Sequence, residues 1–138
     1  MKSNFKMIKE FHDKFGLPNH DTPELIYTDL RLGLIEEEFN ELKEAIDEMD
    51  QEMLVYGYNS EQAKNKRIEV AKELTDLAYV VYGAAATWGI DIDKCFEEVH
   101  SSNMSKLGEN GKPIYREDGK VLKGPNYRPA DLKKILFK

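Results

Sequence analysis

Two pairs of carboxylates at helical spacing carry the chemistry this chain can do: Glu38 with Glu41, and Glu73 with Asp76. Residues three apart stack on one side of a helix. Each pair borders an apolar stripe. Around the first, Ile35, Phe39, Leu42, Ile46 and Met49 recur at spacings of three and four and fall within a wedge of roughly ±40°. Glu38 falls beside that wedge, Glu41 one step further round, Glu37 near the outer edge and Glu36 opposite. Around the second pair, Val70, Leu74, Leu77, Ala78, Val81 and Ala85 form the stripe, with Glu73 beside Val70 and Leu77 and Asp76 one turn along.

Carboxylates at the border of a core need partners, because an unpaired buried charge is very costly. Few Lys or Arg fall on those faces. Four such groups meeting between two helices would also raise one another's proton affinity. A divalent cation removes both problems. An all-oxygen set without cysteine selects a hard ion, Mg²⁺ first and Mn²⁺ as a substitute, while Ca²⁺ suits chemistry on phosphates less well. The competing reading of Glu36-Glu37-Glu38 is an ordinary solvated helix face.

The elements that must position these groups are helices. Phe5, Ile8, Phe11, His12 and Phe15 predict a short first helix that stops at Gly16-Leu17-Pro18. Asp21 or Thr22 as a cap, Pro23 in the first turn and Glu24 at the positive dipole end predict a long second helix from about Pro23 to Met53. Gly57-Tyr58-Asn59-Ser60 reads as a turn, with Ser60 capping a third helix to about Trp88, where Gly89 ends it. The two long helices then pack antiparallel. Asp91 caps a fourth helix that fades near Met104. The expected fold class is all-α, a four-helix-bundle-like core with a short C-terminal β-hairpin tail. That hairpin spans Pro113 to Leu122 and turns at Glu117-Asp118-Gly119, and a short helix falls within Ala130 to Phe137.

The 138 residues, 41% of them hydrophobic, fit a single domain over 1–138 with a basic tail from about 106 onward. A net charge of −6 argues against coating nucleic acid, which needs a basic face. The lone Cys95 excludes an internal disulfide and Cys-based zinc sites, and fits a reducing, cytoplasmic setting. The N-terminal residues lack an apolar signal core, and the longest uncharged run, Leu77 to Ile90, is shorter than the ~20 residues that span a bilayer.

Glu37-Glu38-x-x-Glu41 followed by Glu73-x-x-Asp76 resembles the signature of the all-α nucleoside triphosphate pyrophosphatase superfamily, the MazG-like proteins. RLGLIEEEFNEL, KELTDLAYVVYG and WGIDIDKCFEEVHSSNMSKL are most similar to the phosphoribosyl-ATP pyrophosphohydrolase-like branch. The resemblance covers about Leu32 to Lys106, and the gap between Glu41 and Glu73 is somewhat longer than the usual MazG spacing. It implies that Glu38, Glu41, Glu73 and Asp76 are metal ligands and that Glu37 helps hold a second metal or activates water. It further implies nucleotide contacts at Asn103 and phosphate contacts at Lys106, with Mg²⁺ as the cofactor and a homodimer or homotetramer as the assembly.

The resemblance implies Mg²⁺-dependent hydrolysis of a nucleoside triphosphate or related nucleotide between the α and β phosphates. Cations bridging phosphate oxygens to carboxylates would neutralise charge during attack at phosphorus, and Glu37 would accept the proton of the attacking water. Lys106, Lys112, Arg116, Lys120, Lys123 and Arg128 form a basic tail able to close over phosphates; a solvated lysine-rich hairpin is the plain alternative. Removal of unwanted nucleotides is the expected role. The alternative function is a non-catalytic helical interaction or cation-binding module.

Overall fold

The structure is a computed structural model and describes residues 1–137. Its order is α1 (Asn4–Phe15), α2 (Asp29–Tyr56), α3 (Glu61–Trp88), α4 (Ile92–Met104), β1 (Ile114–Tyr115), β2 (Val121–Leu122) and α5 (Lys133–Leu136). Three helix starts are fixed by hydroxyl or carboxylate caps: Ser3 accepts from the Lys6 N–H, Ser60 from Ala63 and Asp91 from Lys94. Gly16 and Gly89 end α1 and α3 in the left-handed region. None of the helices among the described residues is long and apolar enough to cross a membrane.

α2 and α3 form an antiparallel hairpin around residues 57–60. Contacts run in opposite order along the two helices: Arg31 approaches Gly83, Ala45 clusters with Val70, and Glu48 bonds Lys66. Leu42, Ala45 and Val70 are the buried centre of that seam, with Ile46, Met49 and Leu77 packed against them. α1 lies on the far end of α3, where Phe5 and Ile8 meet Ala85 and Ala86, and Ile92 at the start of α4 joins them. The result is the expected helical bundle with a two-stranded antiparallel hairpin behind it.

One boundary differs from the sequence expectation. α2 starts at Asp29, not at Pro23, and residues 17–28 run as an irregular strap across the end of α3. The reason is the four carbonyls that every helix leaves unsatisfied at its C-terminus. The His20 N–H donates to the Ala86 carbonyl (2.9 Å) and the Glu24 N–H to the Trp88 carbonyl (3.0 Å). A helix begun at Pro23 would carry Glu24 off this extended path and take its N–H away from the Trp88 carbonyl. The apolar stripes also differ in cover. Phe39, Leu74, Val81 and Ala78 are exposed in the single chain, as are Leu54, Val55, Tyr56, Tyr58 and Ile68 near the α2–α3 turn.

The hairpin turns where Asp118-Gly119 predicts, with Ile114 opposite Leu122, Tyr115 opposite Val121, and Gly119 at φ 88°. Beyond it the chain returns to α4 and is latched there by Glu98, which is 10% exposed. The Glu98 carboxylate accepts from Arg128 (2.7 Å), from the Asp131 N–H (3.0 Å) and pairs with Lys134 (3.3 Å). Ser102 adds a hydrogen bond to the Arg128 carbonyl (2.8 Å).

The Asp131 amide and the Arg128 guanidinium hold the Glu98 carboxyl down to about 2, against an ordinary value of 4.5. A depressed folded-state value stabilises the latch above the unfolded value and loses that contribution as pH falls from about 4.5 through about 2. Amide exchange at residues 128–135 is therefore expected to accelerate over that interval before α3 opens. Glu98→Gln should reproduce the acceleration at neutral pH. Tail protection that is indifferent to both would refute the latch.

Candidate metal centre

Glu38 projects from the third turn of α2, and Glu73 and Asp76 from the middle of α3. All three are half-buried, and Glu41 and Glu37 are exposed. One carboxylate oxygen from each of Glu38, Glu73 and Asp76 lies within 4.8 Å of the others. A hard divalent ion holds oxygens at about 2.0–2.6 Å, so ligands of one ion stand up to about 4–5 Å apart. The three groups meet that requirement across two elements.

Two observations make the set unlike a solvated acidic patch. Oε2 of Glu38 and Oε2 of Glu73 are both buried and have no hydrogen-bond partner. Such atoms are rare in folded proteins and call for a ligand. Further, the Glu38 carboxyl is pushed above its ordinary range, first by burial, then by repulsion from Glu41 and Asp76, a hydrogen bond with Glu41 and repulsion from Glu73. Its neighbours are thus the residues that the sequence pattern groups together. Among the described residues only Lys72 offers compensation: its ammonium lies 2.6 Å from Asp76 and 3.6 Å from Glu73, on an exposed side chain. Exposed pairs of this kind contribute little, so an entering cation would displace Lys72 at small cost. The sequence reading passed over Lys72, although its i, i+4 spacing to Asp76 signals the pair.

The remaining expected site residues lie elsewhere on the chain. Asn103 is exposed at the end of α4. Lys106 is half-buried and its carbonyl accepts from the Gly124 N–H (2.8 Å). Lys120 sits in the hairpin turn, and Lys123 lies over the Tyr127 ring at 4.8 Å. Among the described residues, no hydrogen bond or ion pair joins these four to the carboxylates. Cys95 is buried, and burial together with Asp91 pushes its thiol up, away from reactivity.

A helical bundle whose central hairpin gathers this acidic set defines the class of all-α, MazG-like nucleoside triphosphate pyrophosphatases. Within that class the phosphoribosyl-ATP pyrophosphohydrolase family matches residues 8–103, from α1 to the last turn of α4, and the chain belongs to that family. The chain is also similar to an uncharacterized protein of Acanthamoeba polyphaga mimivirus, with 26% identity over 99% of this chain and 49% of the relative. The chain thus spans about half the length of the curated relative it matches. The hairpin, the segment 123–132 that Glu98 latches and α5 lie outside the family match.

Proposed function

We propose that the protein is a divalent-cation-dependent nucleotide pyrophosphohydrolase, cleaving a nucleoside triphosphate or related nucleotide between the α and β phosphates. The observation that carries this reading is the pair of orphaned, buried carboxylate oxygens on Glu38 of α2 and Glu73 of α3, grouped with Asp76 at the α2–α3 seam. Family membership supports it, since the family typically depends on a divalent cation. An all-oxygen donor set favours Mg²⁺, with Mn²⁺ as substitute.

In this reading Glu38, Glu41, Glu73 and Asp76 hold the cation. The bound ion would supply charge neutralisation at the phosphate oxygens and a lowered pKa for the attacking water. Glu37, exposed beside Glu38, accepts a proton from that water as general base. Lys106, Lys120 and Lys123 meet phosphate oxygens, and Asn103 hydrogen-bonds the nucleotide. The large apolar side chains left open on α2 and α3 support a homodimer or homotetramer, which would cover them. Such an assembly could also carry one copy's basic tail to another's carboxylates. Clearing unwanted nucleotides from the pool is the role that fits this chemistry.

The test is incubation of the protein with a panel of nucleoside triphosphates and Mg²⁺ or Mn²⁺, assayed for products. Pyrophosphate and a nucleoside monophosphate are expected, with no turnover after chelation. Orthophosphate alone, or no product with any nucleotide, would overturn the reading and favour a non-catalytic helical module.

A further inference from the structure

The α2–α3 seam does not end at the carboxylates. Arg31 precedes Glu38 by seven residues and Gly83 follows Asp76 by seven, and a seven-residue step returns to nearly the same helix face about 10 Å further on. At that level the Arg31 Nη1 and the His12 Nε2 each lie 3.2 Å from the point where a Cβ on Gly83 would stand. α1, α2 and α3 therefore converge on a residue with no side chain, and a larger one would crowd both groups. His12 is 2% exposed, with Nδ1 2.7 Å from the Pro18 carbonyl oxygen. Nδ1 donates to that carbonyl, and Nε2 is the ring nitrogen that faces the seam.

Arg31 itself is 6% exposed, yet no carboxylate pairs with it and no side-chain hydrogen bond engages its guanidinium among the described residues. Burial alone acts on it, lowering its pKa without an acidic neighbour to oppose the shift. Among the described residues the guanidinium is thus held by no acidic side chain, and it stands two turns from carboxylate oxygens that lack a partner. The two groups are opposite in sign and lie in one line. A ligand with anionic oxygens at one end and an oxygen acceptor about 10 Å away would satisfy both.

We infer, on the pyrophosphohydrolase reading of the site, that Arg31 is a specificity residue: its N–H fork receives an oxygen acceptor of the nucleotide at the end remote from the cleaved anhydride. A guanidinium only donates. The acceptor is therefore a keto oxygen of the base, carried by uracil, guanine and, at position 2, cytosine, or an oxygen of the sugar, and never the exocyclic amine of cytosine or adenine. Gly83 and His12 keep the guanidinium in place.

Arg31→Met and Arg31→Lys, compared with the wild type on UTP and CTP, test this, together with Mn²⁺ titration in the absence of nucleotide. Loss of charge-assisted hydrogen bonds predicts a KM raised roughly ten- to a hundredfold in Arg31→Met, with kcat much less affected and Mn²⁺ affinity unchanged. A loss confined to UTP assigns the acceptor to the 4-keto oxygen, where cytosine carries an amine, and an equal loss on both assigns it to an oxygen the two share, the 2-keto oxygen or one of the sugar. A folded Arg31→Met with wild-type KM on both nucleotides overturns the inference, whatever its melting temperature. If Arg31→Met does not fold, Arg31→Lys decides, because it keeps the charge and loses the fork: raised KM supports the assignment and unchanged KM overturns it. Absence of turnover in the wild type would instead sink the activity reading. Arg31 is then judged by binding of a non-hydrolysable UTP analogue with Mn²⁺, where equal affinity of wild type and variants again overturns the inference.

Discussion

Glu38→Gln is expected to abolish pyrophosphate release while the chain stays folded and melts no lower than the wild type. The substitution keeps the shape of the side chain and removes its charge. In a catalytic centre that charge holds the cation, and loss of a metal's several kcal/mol of transition-state stabilisation is roughly a thousandfold or more in turnover. In the unliganded chain the same charge is a burden, since burial and three acidic neighbours already push the carboxyl above its ordinary range. The two effects therefore have opposite signs. Asp76→Asn should also lose activity, but it gives up the Lys72 contact as well, so its melting temperature is the less clean indicator. A Glu38→Gln protein that unfolds would show a structural carboxylate, and one that turns over normally would remove Glu38 from the chemistry.

The second large effect is expected at Gly89. Its φ is 65°, and a Cβ there would stand 1.8 Å from the Thr22 carbonyl oxygen and 2.5 Å from its carbon. Both atoms belong to the backbone, so no rotamer change relieves the collision. Gly89→Ala must pay the left-handed penalty of about 1–2 kcal/mol and also displace the strap that covers the end of α3. A total loss of about 3 kcal/mol or more, roughly 10 °C in melting temperature, is the expected outcome in thermal denaturation. A variant melting with the wild type would mean that the strap is not held where the structure has it. Because this strap feeds directly into Asp29 and the first turns of α2, Gly89 also governs where Arg31 and Glu38 are presented.

The parts of the fold that were legible in the sequence are those set by local chemistry. Ser60, Asp91 and Gly89 mark their helix ends through bonds within a few residues, and Asp118-Gly119 marks its turn through one φ angle. The grouping of Glu38, Glu73 and Asp76 was legible for a related reason, rotation about two helices being a local periodicity, while Glu41, expected with them, is exposed outside that group. What the sequence concealed is long-range. Pro23 and Glu24 carry every sign of a helix start, and are overridden by carbonyls of Ala86 and Trp88 more than sixty residues away. Glu98 gave no sign of its role, since its partners Arg128, Asp131 and Lys134 come from a strap about thirty residues downstream. Arg31 stood two turns before Glu38 in plain view, but only the packing of α1 and Gly83 around it reveals that it is buried without a partner. The basic residues of the tail are the converse case. Their charge is obvious in the sequence, while among the described residues no hydrogen bond or ion pair joins them to the carboxylates of the α2–α3 seam.

The claim on which the account turns is that carboxylates of α2 and α3 converge to hold a doubly charged ion. Calorimetric titration of the wild type with Mn²⁺, with and without a non-hydrolysable nucleoside triphosphate, measures it most directly. Saturable uptake that tightens when nucleotide is present and vanishes in Glu38→Gln is the predicted result. Absence of binding in the wild type under both conditions, or binding that Glu38→Gln leaves intact, would contradict it.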